Sequence, residues 1–146
     1  MHEQVLAVLD WPGSAHERLA ALMPALARAL DCERCVLFLT DPATGRGRAV
    51  HRWASQPGFA LQRPDDGWQP PSPTLADEDP MYAEALRNPA ALYIDDIETA
   101  DPALVDVAYE RKHFRHRALV HAPVYHEGRF YGVLEPSSME KPRHWS

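Results

Sequence analysis

The sequence has few cysteines, few glycines and no excess of basic residues, and it contains no long hydrophobic run. Two cysteines in 146 residues cannot build the disulfide framework of a small secreted protein. No apolar run approaches the roughly 18 residues that cross a bilayer, and the net charge of −6 disfavours a nucleic-acid surface. The first residues, MHEQVLAVLDWPG, lack the basic region and cleavage site of a signal peptide. We therefore expect a cytoplasmic protein that binds neither nucleic acid nor membrane.

The segment from Arg117 to Pro136 predicts two strands joined by a tight turn at Glu127-Gly128, where glycine supplies a positive φ. The predicted register pairs Tyr125 with Phe130, Pro123 with Gly132, and Val120 with Glu135. One face then carries Ala118, Val120, Ala122, Val124, Tyr131 and Val133, and the other carries Leu119, His121, Tyr125, Phe130 and Leu134. Both faces are largely apolar, so we expect the hairpin to lie centrally in a sheet. Pro123 cannot donate to the ladder, which predicts a bulge or irregular pairing there.

The sequence of this hairpin resembles the last hairpin of a GAF domain. The resemblance is carried by Ala122-Pro123-Val124, by Gly128 in the turn, and by Tyr131-Gly132-Val133-Leu134. It implies an α+β fold with a PAS-like antiparallel sheet of five to six strands and helices on both faces. It also implies a module that binds a small molecule or regulates a partner domain.

The rest of the chain follows the order of elements in a GAF domain. Ser14 and Glu17 predict a capping box at the start of a helix that reaches about residue 31, with a kink at Pro24. Strands are predicted at 35–40, 48–54 and 91–94, and further helices at 2–10, after Asp79, and from Asp101 to about Phe114. The resemblance thus covers residues 14–138, with an N-terminal helical extension at 1–13 and a C-terminal tail at 139–146.

A long loop over residues 56–73, rich in proline, glycine and aspartate, suggests one wall of a ligand pocket. The candidate ligand-binding residues are Trp53, Trp68, Tyr93, Phe114 and His121. The alternative interpretation is that the aromatic residues belong to the core and that His121 is a hydrogen-bonded core residue. A single histidine on an apolar strand does not lead us to expect haem.

Two short motifs predict a zinc or iron site. Cys32-x-x-Cys35 and His113-x-x-His116 have ligand types and spacings that suit a tetrahedral metal. In a GAF-like sheet the first strand lies beside the last, and the last beside the penultimate, which brings both motifs to one edge. The alternative is that the cysteines are small buried hydrophobic residues and that the histidines cap a helix end.

The known activities of GAF domains match this sequence poorly. Bilin-binding members attach the chromophore at a cysteine followed by histidine, whereas Cys32 precedes Glu33 and Cys35 precedes Val36, so we do not expect a bilin. The Asn-Lys-Phe-Asp-Glu signature of cyclic-nucleotide-binding members is absent, as are a glycine-rich phosphate loop and an identifiable Ser-His-Asp set. We expect a non-catalytic sensing or regulatory module. The alternatives are a thiol-based reductase resembling free methionine-sulfoxide reductases, which use three cysteines, and a GAF domain with a structural metal.

The N-terminal segment predicts self-association. Residues 4–30 offer more apolar surface than one sheet face needs, namely Val5, Leu6, Leu9, Trp11, Leu22 and Leu26. GAF domains often pair through their first helix, so the resemblance implies a homodimer through these residues.

Overall fold

The computed structural model describes residues 2–145 and has an α+β architecture built on one five-stranded antiparallel sheet. The helices are α1 (Glu3–Asp10), α2 (Ala15–Leu30), α3 (Leu75–Glu78), α4 (Pro80–Ala85) and α5 (Val107–His113), with a 3-10 turn at Pro57–Phe59. The strands are β1 (Arg34–Thr40), β2 (Gly47–Ala54), β3 (Leu92–Ile94), β4 (Ala118–His126) and β5 (Arg129–Ser138). The order across the sheet is β2-β1-β5-β4-β3, so the predicted fold class and the predicted neighbours of the first and last strands are confirmed.

Helix α2 begins at the predicted capping box. The Ser14 hydroxyl accepts a hydrogen bond from the backbone N–H of Glu17 at 3.2 Å, and the Glu17 carboxylate accepts one from the backbone N–H of Ser14 at 2.8 Å. Pro24 lies inside the helix, where it removes one backbone hydrogen bond. The helix nevertheless continues to Leu30, because its buried stripe, which includes Met23 and Ala27, packs against the sheet.

The register of the β4–β5 hairpin is only partly as predicted. Tyr125 lies opposite Phe130 as expected, but Val124 then pairs with Gly132 and Pro123 with Val133, so Tyr131 is an extra residue in β5. This bulge displaces every later predicted pair by one residue and moves the β5 side chains to the opposite face. At the bulge, β5 approaches β1 closely. A Cβ on Gly132, which has a φ of 147°, would lie 1.9 Å from the backbone oxygen of Phe38.

The sheet has two faces of different character. The helix face carries Cys35, Leu37, Ala118, Val120 and Leu134, which pack with α2 and with Trp145 in one apolar cluster. The cavity face carries Val36, Phe38, His121, Val133 and Glu135. Because of the bulge, Leu134 joins Val120 on the helix face and Val133 joins His121 on the cavity face, the reverse of the prediction.

The helix before β4 starts later than the sequence suggests. Asp101 accepts a hydrogen bond from the backbone N–H of Ala103 at 2.9 Å and forms a turn, whereas Asp106 caps α5 through the N–H of Tyr109 at 3.0 Å. The intervening Val105 is buried in a cluster with Ile97 and Leu119, and this packing takes precedence over the Asp-Pro helix-start signal.

The end of the described chain packs onto the domain. The indole Nε1 of Trp145 donates to the backbone oxygen of Ile94 at 3.0 Å, and its ring belongs to the helix-face cluster. Over residues 2–145, helices with the length and apolar character of a membrane span are lacking.

Candidate ligand cavity

A cavity of about 460 Å³ opens on the cavity face of the sheet. Its walls are strands β1, β2, β4 and β5, the helices α3 to α5, and the loop over residues 63–72. Apolar side chains that line it include Phe38, Phe114, Phe130 and Val133. This volume lies within the range of small-molecule sites, which are usually apolar clefts with a few well-placed polar groups.

Hydrogen bonds join the long proline-rich loop to β2. Arg48 donates two hydrogen bonds to the carboxylate of Asp65, at 2.9 and 2.8 Å, and Gly47 exchanges backbone hydrogen bonds with Gln69 at 3.0 and 2.9 Å. The guanidinium carbon of Arg63 lies 5.5 Å from the centre of the Phe114 ring. These contacts hold the loop as one wall of the cavity.

The floor of the cavity contains a buried ion pair between two strands. Nδ1 of His121 on β4 lies 3.1 Å from Oε2 of Glu135 on β5. Burial raises the pKa of Glu135, but the hydrogen bond from His121 and the charges of His121 and Arg34 outweigh it, so the pKa is lowered overall. Nε2 of His121 is buried and has no hydrogen-bond partner among the described residues.

A second set of buried polar contacts, centred on His116, adjoins the His121–Glu135 pair. Nε2 of His116 lies 2.5 Å from Oε2 of Glu110 on α5, and its Nδ1 lies 3.2 Å from the Ser137 hydroxyl and 3.5 Å from Oε1 of Glu135. Burial, together with the carboxylates of Glu135 and Asp79, raises the pKa of Glu110 to about 9. Burial lowers the pKa of His116 to about 4. At neutral pH the protonated Glu110 therefore donates to the neutral His116 ring.

Arg34 and Asp79 complete the buried polar groups. Arg34 donates to the backbone oxygen of Phe114 at 2.8 Å and contacts Nδ1 of His116 at 3.4 Å, which ties β1 to the end of α5. Asp79 lines the cavity and caps α4 through the backbone N–H groups of Met81 and Tyr82, at 3.1 and 3.3 Å. Burial raises the pKa of Asp79.

The five candidate ligand-binding residues occupy different places. Phe114 and His121 line the cavity. Trp53 packs against the helix-face cluster, and Trp68 and Tyr93 are exposed, at 42% and 64% of their surface. Trp53 lies at the end of β2 that is paired with Cys35, and alternation along the strand turns it towards α2.

The predicted zinc or iron site at Cys32, Cys35, His113 and His116 is wrong. Cys35 lies on the helix face, with its sulfur 3.8 Å from that of Met23, and Cys32 approaches the backbone oxygen of Arg34. His116 lies on the other side of the sheet with both nitrogens engaged. His113 stacks on Tyr109 at the cavity wall, with ring centres 4.4 Å apart. Residues 2–145 contain no group of three or more potential ligands that could hold a metal.

The position of the cysteines also bears on thiol chemistry. Burial raises the pKa of Cys32 to about 11 and that of Cys35 to about 12. A thiolate is the reactive form of cysteine, and neither residue forms it readily at neutral pH. Neither cysteine lines the cavity.

The sequence interpretation missed the acidic residues of the network. Glu110 lies in a helix rich in charged residues, and its buried partner, His116, lies in the segment between α5 and β4. Glu135 gave a clearer signal, because it interrupts the apolar run Tyr131-Gly132-Val133-Leu134 near the end of a central strand. A carboxylate at a doubly covered position requires a buried partner, and His121 on the neighbouring strand is that partner.

Solved structures of GAF domains resemble this chain. The phycocyanobilin-bound GAF domain of a cyanobacterial phytochrome is 18% identical, with a TM-score of 0.69, covering 97% of this chain and 79% of that one. The GAF domain of an Acinetobacter phosphoenolpyruvate-protein phosphotransferase is 16% identical, with a TM-score of 0.67, covering 97% and 76%. A third structure, of a protein in its far-red absorbing dark state with bound biliverdin, is 13% identical, with a TM-score of 0.69. The match covers 97% of this chain and 84% of that one.

These similarities correct one expectation about cofactors and establish the family. Because two of the similar structures contain a bilin, the prediction that a bilin is not to be expected is wrong. None of the curated protein sequences matches the chain. The sequence profile of the GAF domain matches residues 14–146, which is most of the chain. The protein belongs to the GAF domain family.

Proposed function

We propose that this GAF domain is a non-catalytic sensing module that binds a small molecule in the cavity and regulates a partner. The observation that carries this proposal is the unpartnered Nε2 of His121 at the floor of an apolar cavity of about 460 Å³. A buried polar atom without a partner is destabilising, and a ligand that supplies the partner removes this cost.

The chemistry of the site favours binding over catalysis. The cavity lining contains no cysteine, and its serine and threonine, Ser72 and Thr40, form no hydrogen bond to a histidine. The alternative of a thiol-based reductase finds no support in Cys32 and Cys35, because both are buried on the other side of the sheet with raised pKa values.

Native mass spectrometry of the protein purified from its own cells tests this function. We expect an added mass that disappears in Val133→Phe, because a larger side chain at this position fills the cavity. Leu134→Phe is the matched control, since it places the same phenyl ring on the helix face and should retain the added mass. If the wild type carries no small molecule, or if both variants lose it equally, the proposal fails.

A bilin is the second candidate ligand, favoured by the two similar structures that contain one. Both cysteines lie outside the cavity, so a bilin would bind without a thioether bond. We expect biliverdin or phycocyanobilin to gain a shifted visible absorption band on addition to the protein, and denaturation to release the pigment. An unchanged spectrum would exclude this candidate, and pigment that stays attached after denaturation would contradict the non-covalent arrangement.

We also propose a homodimer through α1. Leu6, Leu9 and Trp11 are each more than 40% exposed, whereas Val5 is buried and Leu22 and Leu26 pack within the domain. The exposed part of the predicted surface is therefore confined to α1 and the residue after it. Light scattering at micromolar concentration should give twice the 16.5 kDa chain mass, and Leu9→Glu should reduce it to the monomer mass. A monomeric wild type contradicts the dimer.

A further inference from the structure

The geometry of the cavity floor points to a carboxylic acid as the ligand, with its carboxylate accepting a hydrogen bond from Nε2 of His121. This inference rests on the proposed function, because it names the class of molecule that the cavity binds.

The position of the His121 ring fixes which of its nitrogens is available. Nδ1 faces Glu135 at 3.1 Å, and this contact leaves Nε2 as the free end of the ring. The residue is only 5% exposed, and it lines the cavity. A ligand in the cavity is therefore the one source of a partner for Nε2 besides a water molecule that enters the same space.

The groups around His121 favour its charged form. It faces Glu135 on β5, Asp79 at the start of α4 and Glu110 on α5, with His116 behind Glu135. Burial lowers the pKa of His121, but the hydrogen bond to Glu135 and the charges of Glu135 and Asp79 outweigh burial and raise it. In this charged form both ring nitrogens carry a proton, and Nε2 donates a hydrogen bond.

The carboxyl groups near His121 already have partners. Glu135 faces His121 and His116, Asp79 accepts from two backbone N–H groups, and Glu110 pairs with His116. The charged donor at Nε2 lacks one and lines the cavity, whereas Arg34, whose Nε is also unpartnered, is not part of the cavity lining. A hydrogen bond between an imidazolium and a carboxylate is about twice as strong as one between neutral groups. A carboxylate therefore satisfies this donor better than an amide or a hydroxyl group does.

The rest of the cavity suits an acid with an apolar body. Phe38, Phe114 and Phe130 supply apolar walls. At the opening, neither Arg63 nor Lys112 forms a side-chain ion pair with a described residue. Exposed carboxylates, including Glu78, also lie at the opening, where solvent and salt screen charges of both signs. The buried donor thus determines the selectivity for a carboxylate, and the apolar walls determine which ligand shapes fit.

A matched pair of probes tests this inference. We expect 3-phenylpropionate to bind at least tenfold more tightly than 3-phenylpropanamide, which has the same shape without the charge. When the acid is titrated into protein with isotope-labelled histidine, the NMR resonances of the His121 ring should shift. Those of His126, which is exposed at the end of the same strand, should stay unchanged. The affinity for the acid should fall as the pH rises through the raised pKa of His121, because the ring then loses its charge.

Two variants separate recognition from folding. His121→Asn and His121→Phe should both lose the preference for the acid, and His126→Phe should keep it. If His121→Phe does not fold, as judged by its thermal unfolding transition, the smaller polar His121→Asn still provides the test. The inference is overturned if the amide binds as tightly as the acid, if His121→Asn retains the preference, or if the acid does not bind at all. A non-acidic molecule found by native mass spectrometry would overturn this inference alone and leave the sensing function standing.

Discussion

The two faces of the sheet differ in how they use buried volume. The helix face is a continuous apolar cluster, with Met23 and Cys35 almost fully buried beneath α2. The cavity face instead contains open volume and a buried set of titratable groups around Glu135. Dense apolar packing stabilises a fold, whereas empty volume and buried charge both oppose stability. The difference indicates that the helix face supports the fold, and the cavity face is where we propose that a ligand binds.

The largest expected effect is on the cavity face. Glu135→Ala removes the carboxylate that faces His121 and His116 and leaves buried positive charge without compensation. Loss of one partner of a buried ion pair costs about 3–5 kcal/mol. Urea unfolding should show this loss, with Glu127→Ala in the exposed turn as the control that changes little. Equal stabilities of the two variants would contradict the role of the network.

Truncation of apolar side chains should distinguish the two faces. Met23→Ala opens a cavity in a filled cluster and should cost about 2–5 kcal/mol. Val133→Ala only enlarges a space that already exists, so it should cost less than about 2 kcal/mol. Urea unfolding of both variants measures the difference, and a larger loss for Val133→Ala would mean that the cavity face is packed as tightly as the helix face.

The bulge that assigns β5 side chains to the two faces can be tested at Gly132. Gly132→Ala places a Cβ against the backbone of Phe38 and should cost about 1–3 kcal/mol through backbone strain and steric clash. Gly128→Ala is the matched control, because Gly128 also has a positive φ but would meet no atom within 4 Å. Thermal unfolding should show a clearly larger loss for Gly132→Ala, and equal losses would contradict the close approach of β5 to β1.

The most gradual expected effect is the pH dependence of stability, which the cavity face should dominate. The folded protein holds a proton on Glu110 up to about pH 9, whereas a free glutamate loses it near 4.5. The pKa of His116 is lowered to about 4 in the folded protein, against 6.5 for a free histidine. Its contribution to stability therefore rises with pH, and it opposes the contribution of Glu110 only below about pH 6.5. Between pH 6.5 and 9 stability should therefore fall, by at most about 1.4 kcal/mol per pH unit for each proton involved.

Glu110→Gln checks this prediction, because the amide keeps the shape of the side chain and cannot titrate. The variant should make the melting temperature nearly independent of pH between pH 6.5 and 9, although the raised pKa of His121 leaves a smaller slope of the same sign. Glu127→Gln, in the exposed turn, should leave the profile unchanged. A wild-type melting temperature that rises with pH over this range would contradict the protonated Glu110.

Local signals in the sequence predicted much of the fold. The capping box at Ser14, the strand order and the pairing of Tyr125 with Phe130 all depend on neighbouring residues or on the order of elements. The bulge at Tyr131 could not be read from the hairpin alone, because it depends on how closely β1 approaches Gly132.

The site was harder to predict than the fold. Cys35 and His116 do come to the same edge of the sheet, as expected, but Cys35 lies on the helix face of β1, whereas His116 precedes β4 and packs with Glu110 and Ser137 on the other side. Spacing in the sequence specifies an edge and does not specify a face. The contact of Glu110 with His116 depends in addition on how the segment between α5 and β4 turns back onto the helix, which the spacing of the residues does not specify.

A crystal structure of the protein purified from its own cells tests the central claim most directly. The account predicts electron density for a small molecule on the cavity face, with an acceptor atom within hydrogen-bond distance of Nε2 of His121, and no extra density on the helix face. A cavity closed by its own side chains, or a small molecule bound only beneath α2, would contradict the division of roles between the two faces.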